Sequence, residues 1–217
     1  MKFDGTDLYA ALIHELKNSL GVLSMTLERI PLQGETEHDV AVVAARQLCE
    51  GVVDRLHQAL LIYKAENQQI HLILDAYSPH DLLQQIEARA NALARGRFRI
   101  EVAIAEDLPA LWFFDRDLIE MALINAIHNA LVYARSTIRI EADVEAGCLV
   151  LSVRDDSPGY PEHILGGLAD GGAYPTTGTG LGLQFARLIA QSHDNRGRLG
   201  ELRLYNDPGA VFCLRLP

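Results

Sequence analysis

The stretch Gly178-Thr179-Gly180-Leu181-Gly182-Leu183, which opens a helical pattern running to Ser192, decides what kind of fold this chain has. Its glycines free backbone N–H groups to face an anion, and the N-terminus of the following helix adds partial positive charge, so the stretch reads as a phosphate cradle. It lacks the Lys of a Walker loop and follows no strand as a Rossmann turn would, which disfavours both of those nucleotide folds. Outward from this loop the pattern alternates. Residues 71–77 read as a strand, 79–94 as a helix, 97–105 as a strand and 115–134 as a strongly apolar helix. Residues 137–142 and 148–155 read as a strand pair turning near Glu145, Ala146 and Gly147, and 201–205 with 211–216 as a last pair around the turn Asn206-Asp207-Pro208-Gly209. This grouping predicts an α+β sandwich with helices on one face of a mixed sheet.

The first third of the chain has a different texture. Leu8, Leu12, Leu16, Leu20, Leu23, Leu27 and Ile30 recur at steps of three and four, one stripe of a long helix that Pro31, Gln33 and Gly34 end. A second helical pattern over residues 36–64 puts Ala45, Leu48, Val52, Leu56, Ala59 and Tyr63 on one face, with Thr36 or Glu35 available as its cap. A hairpin of two such helices cannot cover both stripes by itself. Either it pairs with a second copy as a four-helix bundle, the expected homodimer, or it folds back on the rest of its own chain. Asn67, Gln68 and Gln69 form the hinge to the alternating strands and helices.

Composition narrows the function. The 217 residues allow one large domain or two small ones, and 49% hydrophobic content is enough for a sizeable core. With 19 Lys and Arg against 29 Asp and Glu, the net charge is −10, so no diffuse basic surface is available for nucleic acid. No apolar run reaches the roughly 18 to 20 residues of a membrane span and no signal-like stretch opens the chain, so a cytoplasmic protein is expected. Cys49, Cys148 and Cys213 form no CxxC pair and sit among aliphatic residues, as reduced core thiols do.

Three further constellations carry possible chemistry. His14 falls on the face opposite the leucine stripe, with Glu15 beside it and Asn18 one turn on, an arrangement suited to attack on a phosphoryl group; an ordinary solvated histidine has the same appearance. Asn125 and Asn129 share one face of an apolar helix, and their amide oxygens are hard donors that suit Mg2+, although neighbouring backbone would satisfy them as well. Asp155 ends an apolar strand before Ser157-Pro158-Gly159, where a carboxylate can accept from an exocyclic amine such as that of adenine, or simply occupy a surface turn.

Taken in order, these segments resemble the sensor histidine kinases. HELKN at 14–18 is similar to the phosphoacceptor box of that family, NAIHNALVYA at 125–134 to its N box, DDSPGYP at 155–161 to its first glycine box, and GTGLGLQFARLIAQSHD at 178–194 to its second. The resemblance implies a dimerisation and histidine-phosphotransfer hairpin over residues 1–67 and an ATP-binding catalytic domain of Bergerat type over 70–217. It implies that His14 takes the γ-phosphoryl group with Glu15 as base, and that Asn18 orients water for dephosphorylating a partner. Asn129 with Asn125 would hold Mg2+, Tyr133 would lie against adenine, and Asp155, with Gly159 in its loop, would read the adenine amino group. Gly178, Thr179, Gly180, Leu181 and Gly182 would wrap the phosphates. Related ATPases place a water-activating Glu where Asn125 stands, which favours transfer to His14 over hydrolysis.

The chain departs from the family pattern at three places. Ser157 replaces the first Gly of its box, Val132 replaces a basic residue, and no Phe lies between Gly159 and Gly178, so a short lid is expected. Loss of the basic group removes a phosphate contact of roughly 1 to 3 kcal/mol, for which Arg135 is a substitute. The reading that results is an ATP-dependent protein-histidine kinase that autophosphorylates His14 and passes the phosphoryl group to an Asp of a response-regulator receiver domain. Because the phosphoacceptor helix begins near Met1, input is expected from a separate sensor protein or from a missing region. The alternative is a histidine phosphotransferase or scaffold whose ATP-binding domain is degenerate.

Overall fold

The structure, a computed structural model, describes residues 16, 18, 20–27, 30, 37–66, 71–170 and 181–217. The chain divides into two compact units, Met1–Ile70 and His71–Pro217. In the first, residues 20–27 form helix α1, and α2 spans Glu37–Glu66. The Cys49 thiol of α2 donates to the Leu20 carbonyl at 3.2 Å, so the two helices lie side by side. Among the described residues Val42, Cys49, Leu60 and Ile62 are the buried apolar residues of α2, and Leu48, on the other stripe, is 70% exposed. The sequence pattern blends two faces that the fold uses differently. The expected cap at Glu35 or Thr36 and the hinge at 67–69 lie outside the described residues.

The second unit is an α+β sandwich built on a mixed five-stranded sheet. Its strands β2 (Arg99–Ile104), β4 (Thr137–Glu145), β5 (Cys148–Asp155), β9 (Ala210–Leu216) and β8 (Glu201–Asn206) are adjacent in the order β2-β4-β5-β9-β8. Only β2 and β4 run parallel; every other neighbouring pair is antiparallel. Register sets one face: Ile140 pairs with Val153 and Val153 with Phe212, and all three are buried beneath the helices. The other face is held by charge, with Arg154 bonded to Glu141 at 2.6 Å and to Asp207 at 3.1 Å. The β4–β5 hairpin turns through Ala146 and Gly147, both at positive φ, as a two-residue turn that follows the strand twist requires.

Helices α3 (Pro79–Ala94), α4 (Arg116–Tyr133) and α6 (Leu181–Ser192) cover the sheet, and α5 (Glu162–Asp170) lies between β5 and α6 in the chain. Helix α3 begins where sequence chemistry says it should: the Ser78 hydroxyl accepts from Asp81 N–H at 3.1 Å and Pro79 occupies the first turn. Three features depart from the sequence reading. The strand expected over 71–77 shrinks to β1 (Asp75–Tyr77), which pairs with β3 (Trp112–Phe114) in a separate two-stranded sheet. Strands of three residues are too short to show a period. Helix α5 was not expected, since Gly166 and Gly167 interrupt its pattern. A small ribbon, β6 (Asp194–Asn195) with β7 (Arg198–Leu199), follows α6.

A buried polar junction joins these parts. The Asp115 carboxylate caps α4 by accepting from Leu118 N–H at 3.2 Å and accepts from Ile73 N–H at 2.9 Å. Asp115 N–H in turn donates to Nε2 of the buried His193 at 3.0 Å, whose Nδ1–H donates to the Ile189 carbonyl at 2.7 Å. Burial pushes the His193 pKa below its ordinary value, against the opposing pull of the Ile189 carbonyl and the Asp115 charge. The neutral ring therefore stabilises the fold fully above its unfolded value of 6.5, and that stability is lost as pH falls towards the lowered folded value. Thermal melts between pH 7.5 and 5.5 should show a steeper fall in Tm for the wild type than for His193→Gln, which takes up no proton; parallel profiles would exclude His193 as the source.

Candidate functional site

Helix α4 is apolar on most of its faces, with Ile119, Ala122, Leu123, Ile124, Ala126, Ile127 and Ala130 buried. Against that background Asn125 is half-buried, Asn129 one turn on is exposed, and Tyr133 a further turn on is 58% exposed. Their spacing of four aligns them along one edge of the helix, running from the interior out to solvent. The first turn of α6 closes on the inner end of this row. A Cβ placed at Gly182 would overlap the Asn125 carboxamide, the movable end of a side chain, so the first turn of α6 lies directly against Asn125. The structure thus brings Gly182 of the second glycine box against Asn125. Gly178, Thr179 and Gly180 lie outside the described residues, as do His14 and Glu15; Asn18 is helical and exposed.

The second cluster stands at the end of β5. Asp155 pairs with the buried Ile138, which puts its side chain on the face of the sheet that carries the helices, and α4 packs against β5. Asp155 Oδ1 accepts from Ser157 N–H at 2.8 Å and from Ala210 N–H at 3.4 Å. Ser157 is buried, and its hydroxyl accepts from Gly159 N–H at 3.1 Å. The departure from glycine at this position therefore has a structural use, because the hydroxyl closes the turn and satisfies an amide a glycine would leave open. Gly159 adopts φ +97°, a conformation few other residues hold.

Asp156 faces the opposite way and serves the scaffold. Its carboxylate accepts from the N–H groups of Arg135 (2.7 Å) and Ser136 (3.0 Å) and from the Ser136 hydroxyl (2.6 Å), which pins the chain leaving α4 to the end of β5. Some desolvation would raise its pKa, but the bonds from Ser136, Arg135 and Thr137 outweigh it and hold the carboxyl well below the usual range. Tyr160, next to this loop, has its phenol pushed upward by burial and by the Asp155 charge, so it stays protonated. Sequence reasoning did not anticipate two contacts here. Asn206 and Gly209 reach the loop from the β8–β9 turn, and only a fold places residues some fifty positions apart against each other.

Among the described residues no group of three or more His, Cys, Asp or Glu side chains is placed to hold a metal. Two amide oxygens carry no net charge, so a divalent cation beside Asn125 and Asn129 needs further anionic oxygens, which phosphates supply. Val132 is 72% exposed and offers none of the charge that a basic residue would bring.

Comparison with known proteins agrees with this geometry. Residues 114–217 match the family described as histidine kinase-, DNA gyrase B-, and HSP90-like ATPase. The chain is 36% identical over 107 residues to the signal transduction histidine-protein kinase AfsQ2 of Streptomyces coelicolor, which covers 46% of this chain and 19% of that protein. It is 30% identical over 226 residues to the sensor protein KdpD of Escherichia coli, covering 97% of this chain and 24% of the relative. The chain thus spans only about a fifth to a quarter of these two relatives. Its fold is similar to that of full-length ShkA in complex with AMPPNP, with a TM-score of 0.72, 24% identity, and coverage of 97% of this chain and 45% of that one. No helix among the described residues is long and apolar enough to cross a membrane.

Two glycine substitutions should separate site from scaffold. Gly182→Ala meets only the movable end of Asn125, so it should fold normally while shifting the Asn125 side-chain amide signals in an NMR spectrum. Gly209→Ala would drive a Cβ into the Asp155 backbone, and should lower unfolding free energy by about 1–3 kcal/mol in a denaturant titration.

Proposed function

We propose, from the match of residues 114–217 to the histidine kinase-, DNA gyrase B-, and HSP90-like ATPase family and the similarity to histidine kinases, that the protein is an ATP-dependent protein-histidine kinase. The observation that carries the proposal is the proximity of Gly182 to Asn125, which supports reading the glycine box and the asparagine pair as parts of one nucleotide site. Asn129 and Asn125 would hold Mg2+, which when bound neutralises phosphate charge. Tyr133 would lie against the adenine ring and Asp155 would accept from its amino group, with Gly159 keeping the loop open to the base. Gly178, Thr179, Gly180, Leu181 and Gly182 would present backbone N–H groups to the phosphates.

The transfer itself uses the first unit. A ring nitrogen of His14 attacks the γ-phosphorus as Glu15 accepts the proton from the ring; a P–N bond forms, the bond to the β-phosphate oxygen breaks, and ADP leaves. The phosphoryl group then passes to an Asp of a response-regulator receiver domain, and Asn18 would orient water for a separate hydrolysis that dephosphorylates the receiver. The exposed Leu16, Val22, Leu23, Met25 and Leu48 support pairing of two hairpins, residues 1–67, as a homodimer, because that apolar surface calls for cover. Residues 70–217 would act as the catalytic domain of a cytoplasmic enzyme.

Incubation with Mg2+ and γ-labelled ATP should give acid-labile, base-stable label on the wild type and none on His14→Ala. Absence of label on a folded wild type that also fails to bind ATP would point instead to the phosphotransferase or scaffold. In the same assay Asp155→Asn should weaken ATP binding by about 10- to 100-fold, the loss of one charge-assisted hydrogen bond of about 1.5–3 kcal/mol.

A further inference from the structure

The turn Asn206-Asp207-Pro208-Gly209 reads in sequence as an ordinary hairpin closure, yet in the fold it grips the end of β5 at four points. The Asn206 carboxamide makes a paired contact with the Tyr160 backbone: Oδ1 accepts from Tyr160 N–H at 2.7 Å and Nδ2 donates to the Tyr160 carbonyl at 3.0 Å. It lies so close to Gly159 that a Cβ there would stand 2.6 Å from it. Gly209 rests its Cα directly on the Asp155 carbonyl, and its neighbour Ala210 donates N–H to Asp155 Oδ1 at 3.4 Å. Asp207, whose own N–H closes the turn on the Gly209 carbonyl, bonds Arg154 at 3.1 Å.

None of these contacts is needed to close a hairpin. A turn of this composition forms from its own backbone hydrogen bond, so an amide reaching 46 residues away to pair with Tyr160 serves the loop it touches. Both ends of the loop are fixed in this way, Asp155 by Gly209 and Ala210, and Gly159 with Tyr160 by Asn206. Backbone donors from the clamp and from Ser157 occupy Asp155 Oδ1, and among the described residues none donates to Oδ2. The carboxylate is thereby oriented with one oxygen spent on the scaffold and the other available to a ligand.

We infer that Asn206 is a positioning residue for base selection, holding the Gly159–Tyr160 loop so that Asp155 presents one carboxylate oxygen to an exocyclic amine. The inference rests on Asp155 as the reader of the adenine amino group. Asn206 touches no base itself; it acts through the loop, so its removal should impair discrimination between bases more than attachment of the phosphates.

The test compares ATP with inosine triphosphate, which carries a carbonyl where adenine has its amine, by calorimetric titration of the full chain with Mg2+. The wild type should prefer ATP. Asn206→Ala should lose about tenfold in ATP affinity with little change for inosine triphosphate, whereas Asn206→Asp, which keeps an acceptor for Tyr160 N–H, should fall between. Asp155→Ala should abolish the preference, and adding Asn206→Ala to it should change the preference no further. Equal losses for both nucleotides in Asn206→Ala, or an unchanged ratio, would overturn the inference while leaving Asp155 as reader. A preference that survives Asp155→Ala would remove the reading of Asp155 and the inference with it. Where Asn206→Ala does not fold by circular dichroism, Asn206→Asp carries the same comparison.

Discussion

Burial of α4 is the constraint on which the rest of the second unit depends. A helix with Ile119, Leu123, Ile124 and Ile127 on several faces cannot lie on a surface, because each such side chain gains roughly 1.5–3 kcal/mol by leaving water. The sheet covers one side of it, and α3 and α6 cover the flanks. Once α4 is walled in, Asn125 and Asn129 sit at its open edge on a backbone that does not move independently of the core. A polar site so placed is rigid without needing stiff side chains of its own.

Polar groups inside or beside the core are then dealt with one by one, since an unpartnered buried amide costs a few kcal/mol. His193 accepts from the N–H at the start of α4 and donates to the end of α6. Asp156 takes up the amides just after α4, and Asp155 takes those at the beginning of its own loop and of β9. In each case a carboxylate or imidazole replaces the missing partner of a backbone group at the end of an element. These anchors place the ends of α4, α6 and β5 relative to one another, and the candidate site lies along the second half of α4, at the first turn of α6 and at the end of β5.

Much of this was legible in the sequence. The apolar run over 115–134, the strand ending in Asp155 and the glycines before α6 each carry a local signal, and periodicity and glycine placement report on local conformation. The pairing of β1 with β3 was not legible, because Trp112–Phe114 is too short for a period. Ser157 illustrates the opposite difficulty. Against a family pattern it is a departure, and only its hydroxyl bonded to Gly159 N–H shows that the turn uses it.

The sequence by itself determined the two textures of the chain, helices α3, α4 and α6 and most strands of the sandwich, and the order in which His14, Asn125, Asp155 and Gly178 succeed one another. The tertiary structure decided that Gly182 meets Asn125 and that Asn206 and Gly209 hold the loop after Asp155. It also decided that His193 joins two helices. The reason is one of range. Side-chain periodicity and turn chemistry act over a few residues, whereas these contacts link positions some fifty or more apart, and only packing of the whole sheet and its helices brings such positions within hydrogen-bond reach.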